Sequence, residues 1–218
     1  MFDLPLFPLN TVLFPGMPIS LHIFEERYKQ MINYCVDTKQ PFGVVLIRQG
    51  REAADPAAEP HLIGCTAEIK QVQPLTQGRM NLLALGQERF RIIDLKHDKP
   101  YLVGVVELFP LRDHDMRAVT RGIARLRPMI LRYLDILKDA GQIQFDSSQL
   151  PNDTTTIAYL SAVLLQIPTD QKQTLLASER MTDMLTELRR MYRRELALLN
   201  FMRERNEDET PKSPFSMN

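Results

Sequence analysis

Tryptophan is absent from this chain, cysteine occurs only twice, and neither sign of charge is in excess, with 27 Lys and Arg against 27 Asp and Glu in 218 residues. Each shortage excludes something. Cys35 and Cys65 stand thirty positions apart with no CxxC, so there is no disulfide framework and no zinc-ribbon spacing, and a reducing, cytoplasmic setting is expected. Charge neutrality weighs against wholesale binding to nucleic acid or to anionic membranes, which carries a basic excess. Long apolar runs are also missing: stretches such as Ala162 to Leu165 fall far short of the roughly 20 residues of a membrane-spanning helix. The N-terminus carries Asp3 and Pro5 where a signal peptide needs bases and an unbroken apolar stretch.

Catalytic signatures are equally scarce. None of the nine glycines precedes a lysine, which removes the phosphate-cradling P-loop. No serine sits in a GxSxG elbow. His22, His61, His97 and His114 show neither HxH nor HExxH spacing, so no metal, cofactor or catalytic residue is assigned.

What is present changes character near residue 110. Before it, Pro5 to Leu9, Ile19 to Phe24, Phe42 to Arg48, Leu62 to Pro74, Met80 to Leu85, Arg89 to Leu95 and Leu102 to Phe109 are strand-like by length and β-branched content. One helix interrupts them at Glu25 to Thr38, with Tyr28, Met31, Ile32 and Cys35 at helical spacing. Gly78 and Gly86 are expected at hairpin turns, giving a β-meander that closes or nearly closes into a barrel. The polar stretch from Gly50 to Pro60 reads as a surface loop.

From Asp115 the period becomes 3.6. Val119, Ile123, Leu126, Ile130, Tyr133, Leu134 and Leu137 form one stripe that ends before Gly141. Further helices are expected from about Asp153 to Gln166, from an Asp170 and Gln173 capping box, and after Ser178 as a cap. The fold class is therefore α+β: residues 1–110 as a β-rich unit, 111–206 as a helical bundle, and 207–218 as a disordered tail.

Two groups of residues stand out as binding candidates. Pro5, Phe7, Pro8, Phe14, Pro15, Met17 and Pro18 crowd the N-terminus, and prolines confine the chain to edges, bulges and a Pro15-Gly16 turn. Phe7, Phe14, Met17 and Phe24 either anchor the core or leave an exposed apolar surface for extended polypeptide. Arg117, Arg121 and Arg125 lie four apart on one helix face, extended by Arg132, and Arg190 and Arg194 belong to a later arginine block. These are a solvated, ion-paired face or an anion-docking face.

The N-terminal run LPLFPLNTVLFPGMPISLHIFEERYKQMI closely resembles the opening of the Lon protease N-terminal domain. Later segments fit in order: Ile63 to Ile69, Gly78-Arg79, Leu85 to Ile92 with its G-x-x-R-F-R-I pattern, Pro100 to Glu107, and Leu175-Leu176 before Arg180-Met181. Gln77 replaces the family's usual Asp at the hairpin, and Thr169-Asp170 departs from its small residues after the proline. The resemblance covers about residues 3 to 200. It implies a PUA-like β-barrel with one interspersed helix followed by an α-helical bundle. By that resemblance the chain is a stand-alone, non-enzymatic module that binds unfolded or extended polypeptide. It would act as an adaptor, with a protease or chaperone system as partner. RNA or another anion, held by the barrel and the arginine faces, is the alternative.

Overall fold

The computed structural model describes residues 1–49, 59–113, 115–141 and 150–209. The strands are β1 (Phe2–Leu9), β2 (Pro18–Ile23), β3 (Phe42–Gln49), β4 (Glu59–Pro60), β5 (Ile63–Pro74), β6 (Met80–Lys96) and β7 (Val103–Leu108), with α1 (Glu26–Thr38) between β2 and β3. Pairings run β1–β7–β6–β5–β3 and return from β3 to β1, so five strands form a closed circuit. The β1–β3 contact is parallel and the rest of the circuit is antiparallel. β1 changes partner midway, pairing with β7 over Phe2 to Pro5 and with β3 over Leu6 to Leu9. Each half thus has one ladder to serve, which accommodates Pro5 and Pro8.

The Gly86 turn expected from the sequence does not form. β6 runs through Gly86 for 17 residues, flanked by β5 and β2 along Met80 to Leu85 and paired with β7 from Phe90 to Lys96. Gly86 serves close approach instead. Its N–H donates to the Met17 carbonyl (2.9 Å), its own carbonyl accepts from Gly16 N–H (2.8 Å), and a Cβ there would lie 2.3 Å from the Phe14 carbonyl oxygen. The 75–79 turn does form, with Gln77 and Gly78 both at positive φ (62° and 67°). Pro15-Gly16 also turns as expected: Gly16 has φ 79° and Met17 N–H donates to the Phe14 carbonyl (3.0 Å).

The helices are α2 (Met116–Asp139), α3 (Thr154–Leu164), α4 (Thr169–Leu176) and α5 (Met181–Glu209). Asp115 caps α2 and Asp153 caps α3 through their carboxylates, and Gly141 follows α2 at φ 68°. The last helix continues past residue 206 to Glu209, and residues 210–218 of the expected tail lie outside the described residues, as does most of the 50–60 loop.

Two expected caps are replaced. Gln173 forms no capping box; its amide reaches the Ile63 carbonyl of β5 (2.9 Å) and is buried there. Ser178 does not cap α5 but donates to the Thr174 carbonyl. That helix is capped at long range: Asp113 accepts from Thr182 N–H (2.9 Å) through one carboxylate oxygen and from Asp115 N–H (2.9 Å) through the other. One core joins the sheet to the helices. Val12, Phe14, Leu46 and Ile63 are buried in the same cluster as Leu126, Ile130, Tyr133, Tyr159, Leu188 and Tyr192.

Candidate functional site

The N-terminal aromatic residues separate into core and surface. Phe7 packs on Tyr28 (ring centroids 4.0 Å apart) and on Phe42 (6.3 Å), and is buried. Phe14 is 0% exposed and meets Tyr159 of α3 across the seam between the two halves (6.3 Å). Met17 is half-buried between the same two clusters. Phe24 alone among the four is open, at 55% exposure, stacked with His22 at 6.1 Å. The expected apolar surface is therefore corrected: Phe7 and Phe14 offer none, because aromatic area is worth more inside the two clusters they join. The four residues make no contiguous patch.

Arg117, Arg121 and Arg125 project from the solvent side of α2, opposite its buried stripe, and form no ion pair among the described residues. The α5 arginines differ. Arg190 is held by Glu187 (2.6 Å) and Arg194 by Glu195 (3.0 Å) and the Gln171 amide oxygen (2.7 Å). Two of the five anion-docking candidates are thus neutralised within their own helix.

The arginine that the fold uses most was not singled out by charge pattern. Arg89, on β6, is 2% exposed. Its Nη1 donates to the carbonyls of Leu176 (2.5 Å) and Ser178 (2.7 Å), the C-terminal end of α4, where a cation meets the negative pole of a helix. The guanidinium also lies over the Phe109 ring (4.7 Å), which Arg91 approaches as well (4.3 Å). Burial lowers its pKa, with Tyr159 opposing that shift. Its Nε and Nη2 are buried without a partner among the described residues. A clue was available: Arg89 alternates with buried Phe90 on a central strand, where a charge is tolerated only if bound.

The titratable groups offer little reactive chemistry. Burial pushes both the Cys35 and the Cys65 thiols up to about 12, so they stay protonated and unreactive at neutral pH. Among the described residues no three His, Cys, Asp or Glu side chains converge as metal ligands.

Two of the open clefts among the described residues bear on binding. One, of about 440 Å³, lies between Pro15-Gly16, Arg89, Leu111 and the start of α3. The other, of about 590 Å³, lies at one end of the strand circuit, where β1 starts (Phe2), β7 ends (Leu108) and β3 begins after Pro41. Its long wall is β5 from Glu68 to Val72, facing Val36, Lys39 and Gln40 at the end of α1.

A closed strand circuit fused through one core to four helices defines a two-part α+β fold. The chain belongs to the ATP-dependent protease La (LON) substrate-binding domain family, whose model matches residues 3–194. It is 26% identical over 206 residues to a Lon protease of Anaeromyxobacter dehalogenans, which covers 92% of this chain and 23% of that protein. The chain thus spans about a quarter of the length of such curated relatives. Among solved structures it is similar to a Lon N-terminal domain protein from Xanthomonas campestris (27% identity, TM-score 0.58, 86% of this chain and 97% of that one). The N-terminal domain of Mycobacterium avium complex Lon protease shares the fold at 16% identity, with a TM-score of 0.67 over 88% of this chain and 98% of that one.

Proposed function

We propose that this protein is a non-catalytic module that binds polypeptide in an unfolded or extended state and passes it to a protease or chaperone partner in the cytoplasm. The observation that carries this reading is the substrate-binding family match, which runs through both the sheet and the helices. Thiols that burial keeps protonated are in keeping with a role without bond chemistry. Two free, buried cysteines are in keeping with a reducing compartment.

Binding should come from exposed apolar surface and backbone pairing, and should change little with salt. Fluorescence anisotropy with a labelled, carboxymethylated protein that cannot refold tests this. Saturable binding of the unfolded form, with the native form of the same protein ignored, is the expected result. Absence of binding at the highest soluble concentration would remove the proposal.

A further inference from the structure

The ladder between β3 and β5 stops early, for a reason written in the chain. Its last rung is Phe42 opposite Ala67. The preceding residue is Pro41, which has no N–H to extend the ladder. Before it, Lys39 at φ 53° terminates α1 and turns the chain away. From Glu68 to Pro74, β5 keeps β6 on one side and has no strand on the other among the described residues. An edge of this kind presents an unpaired row of backbone donors and acceptors, whose natural complement is another extended backbone.

The cleft of about 590 Å³ opens along this edge. Its walls carry exposed apolar side chains, Phe2 (42%), Val36 (43%) and Leu108 (47%), with Ile69 and Val72 half-buried, among exposed polar ones such as Lys39, Gln40 and Gln71. The charges that line it, Lys39 and Lys70 against Glu68 and Glu88, balance in sign, and Lys70 bridges Glu68 (2.7 Å) while Gln87 donates to the same carboxylate (2.9 Å). A second copy of this strand suits the slot poorly. Two copies would each bring Lys70 to the shared edge, a like-charge contact that an uncharged segment avoids.

The geometry points to strand addition: an uncharged, extended polypeptide segment continues the line of β3 past Pro41 and pairs with the free edge of β5 from Glu68 to Gln73. This rests on the polypeptide-binding reading above and assigns it a place. Six residues at strand spacing span about 20 Å, so a short segment suffices.

The probe is a synthetic peptide of about ten residues alternating valine or tyrosine with serine or threonine. It is compared with two versions N-methylated at alternate positions, in either phase. One phase removes the donors that face β5 and should weaken binding about tenfold or more, while the other leaves binding intact. Val36→Glu should weaken the unmodified peptide similarly, and Phe201→Glu, on the exposed end of α5, should not. Amides of residues 68–73 should gain hydrogen-exchange protection when the peptide binds. Binding that ignores both methylation phases, or protection that appears only elsewhere, overturns the edge site and leaves polypeptide recognition standing. Protection of 68–73 in a peptide-free dimer also overturns it, because the edge then belongs to a second copy. If neither the peptide nor an unfolded protein binds, both readings fall together.

Discussion

Asp113 concentrates more structure into one carboxylate than any other acid described. Its two oxygens serve the first turn of α5 and the approach to α2, and hydrogen bonds from Thr182, then from the Asp115 amide, hold its carboxyl well below the usual carboxylate range. Asp113→Ala should therefore cost about 1–2 kcal/mol, the value of a lost N-cap, read as a shift in urea midpoint at unchanged slope. Asp113→Asn keeps an acceptor and isolates the charge. A depressed folded-state pKa means the charge contributes fully above the unfolded value, near 4, and its contribution fades as pH falls through the folded value. The gap between wild type and Asp113→Asn should accordingly be constant from pH 7 to about pH 5 and narrow in stronger acid. A gap that widens on acidification would contradict the cap. At Gly86 the constraint is steric: with the Phe14 carbonyl oxygen 2.3 Å from where a Cβ would sit, Gly86→Ala should destabilise by about 2 kcal/mol or more, seen as a lowered thermal midpoint.

Between elements, the tie that matters is β6 to α4. Arg89 gives both Leu176 and Ser178 their donor, and Gln173 returns the bond from α4 to the Ile63 carbonyl. Arg89→Met fills the space but leaves two carbonyls bare, which should cost about 2–3 kcal/mol, and Arg89→Lys should recover only part because an ammonium lacks the planar stacking on Phe109. Amide exchange in α4 should accelerate in both variants; stability equal to wild type would mean that water satisfies those carbonyls. These ties also mark where the sequence stops being readable. Periodicity located strands and helices because apolar spacing is a local signal, and Gly141 announced the end of α2 by residue type. Gly86 misled because a turn and a close backbone approach select the same residue. Gln173 and Ser178 misled because their local cap spacing lost to partners elsewhere, Ile63 for one and Asp113 for the helix of the other. Phe7 and Phe14 were legible as core anchors by residue type, but their partners were not, since Tyr28, Phe42 and Tyr159 lie far along the chain. The free β5 edge could not be read at all, because it depends on where the β3 ladder ends.

At the scale of the molecule, a composition change near residue 110 suggests two units, whereas burial argues for one cooperative body. Val12, Phe14, Leu46 and Ile63 come from the sheet half yet are buried with α2 to α5. Cutting the chain at residue 110 would expose them and strip Arg89 of its carbonyl partners, and each fully exposed apolar side chain of this kind forfeits about 1.5–3 kcal/mol. That loss is comparable to the whole stability of a small domain, so the isolated 1–110 fragment should not fold to a native state. For the full chain, heat or urea should produce a single transition in which both halves melt together. The lack of tryptophan makes tyrosine the optical probe, and its placement is convenient: Tyr28 and Tyr101 report on the sheet half, Tyr133, Tyr159 and Tyr192 on the helical half. Replacing Tyr28 and Tyr101 by Phe in one variant, and Tyr133 by Phe in another, should leave near-ultraviolet and helix signals that still share one midpoint in each. Two resolved midpoints, or a 1–110 fragment with dispersed amide resonances, would establish two independent domains and place the boundary back where the composition changes.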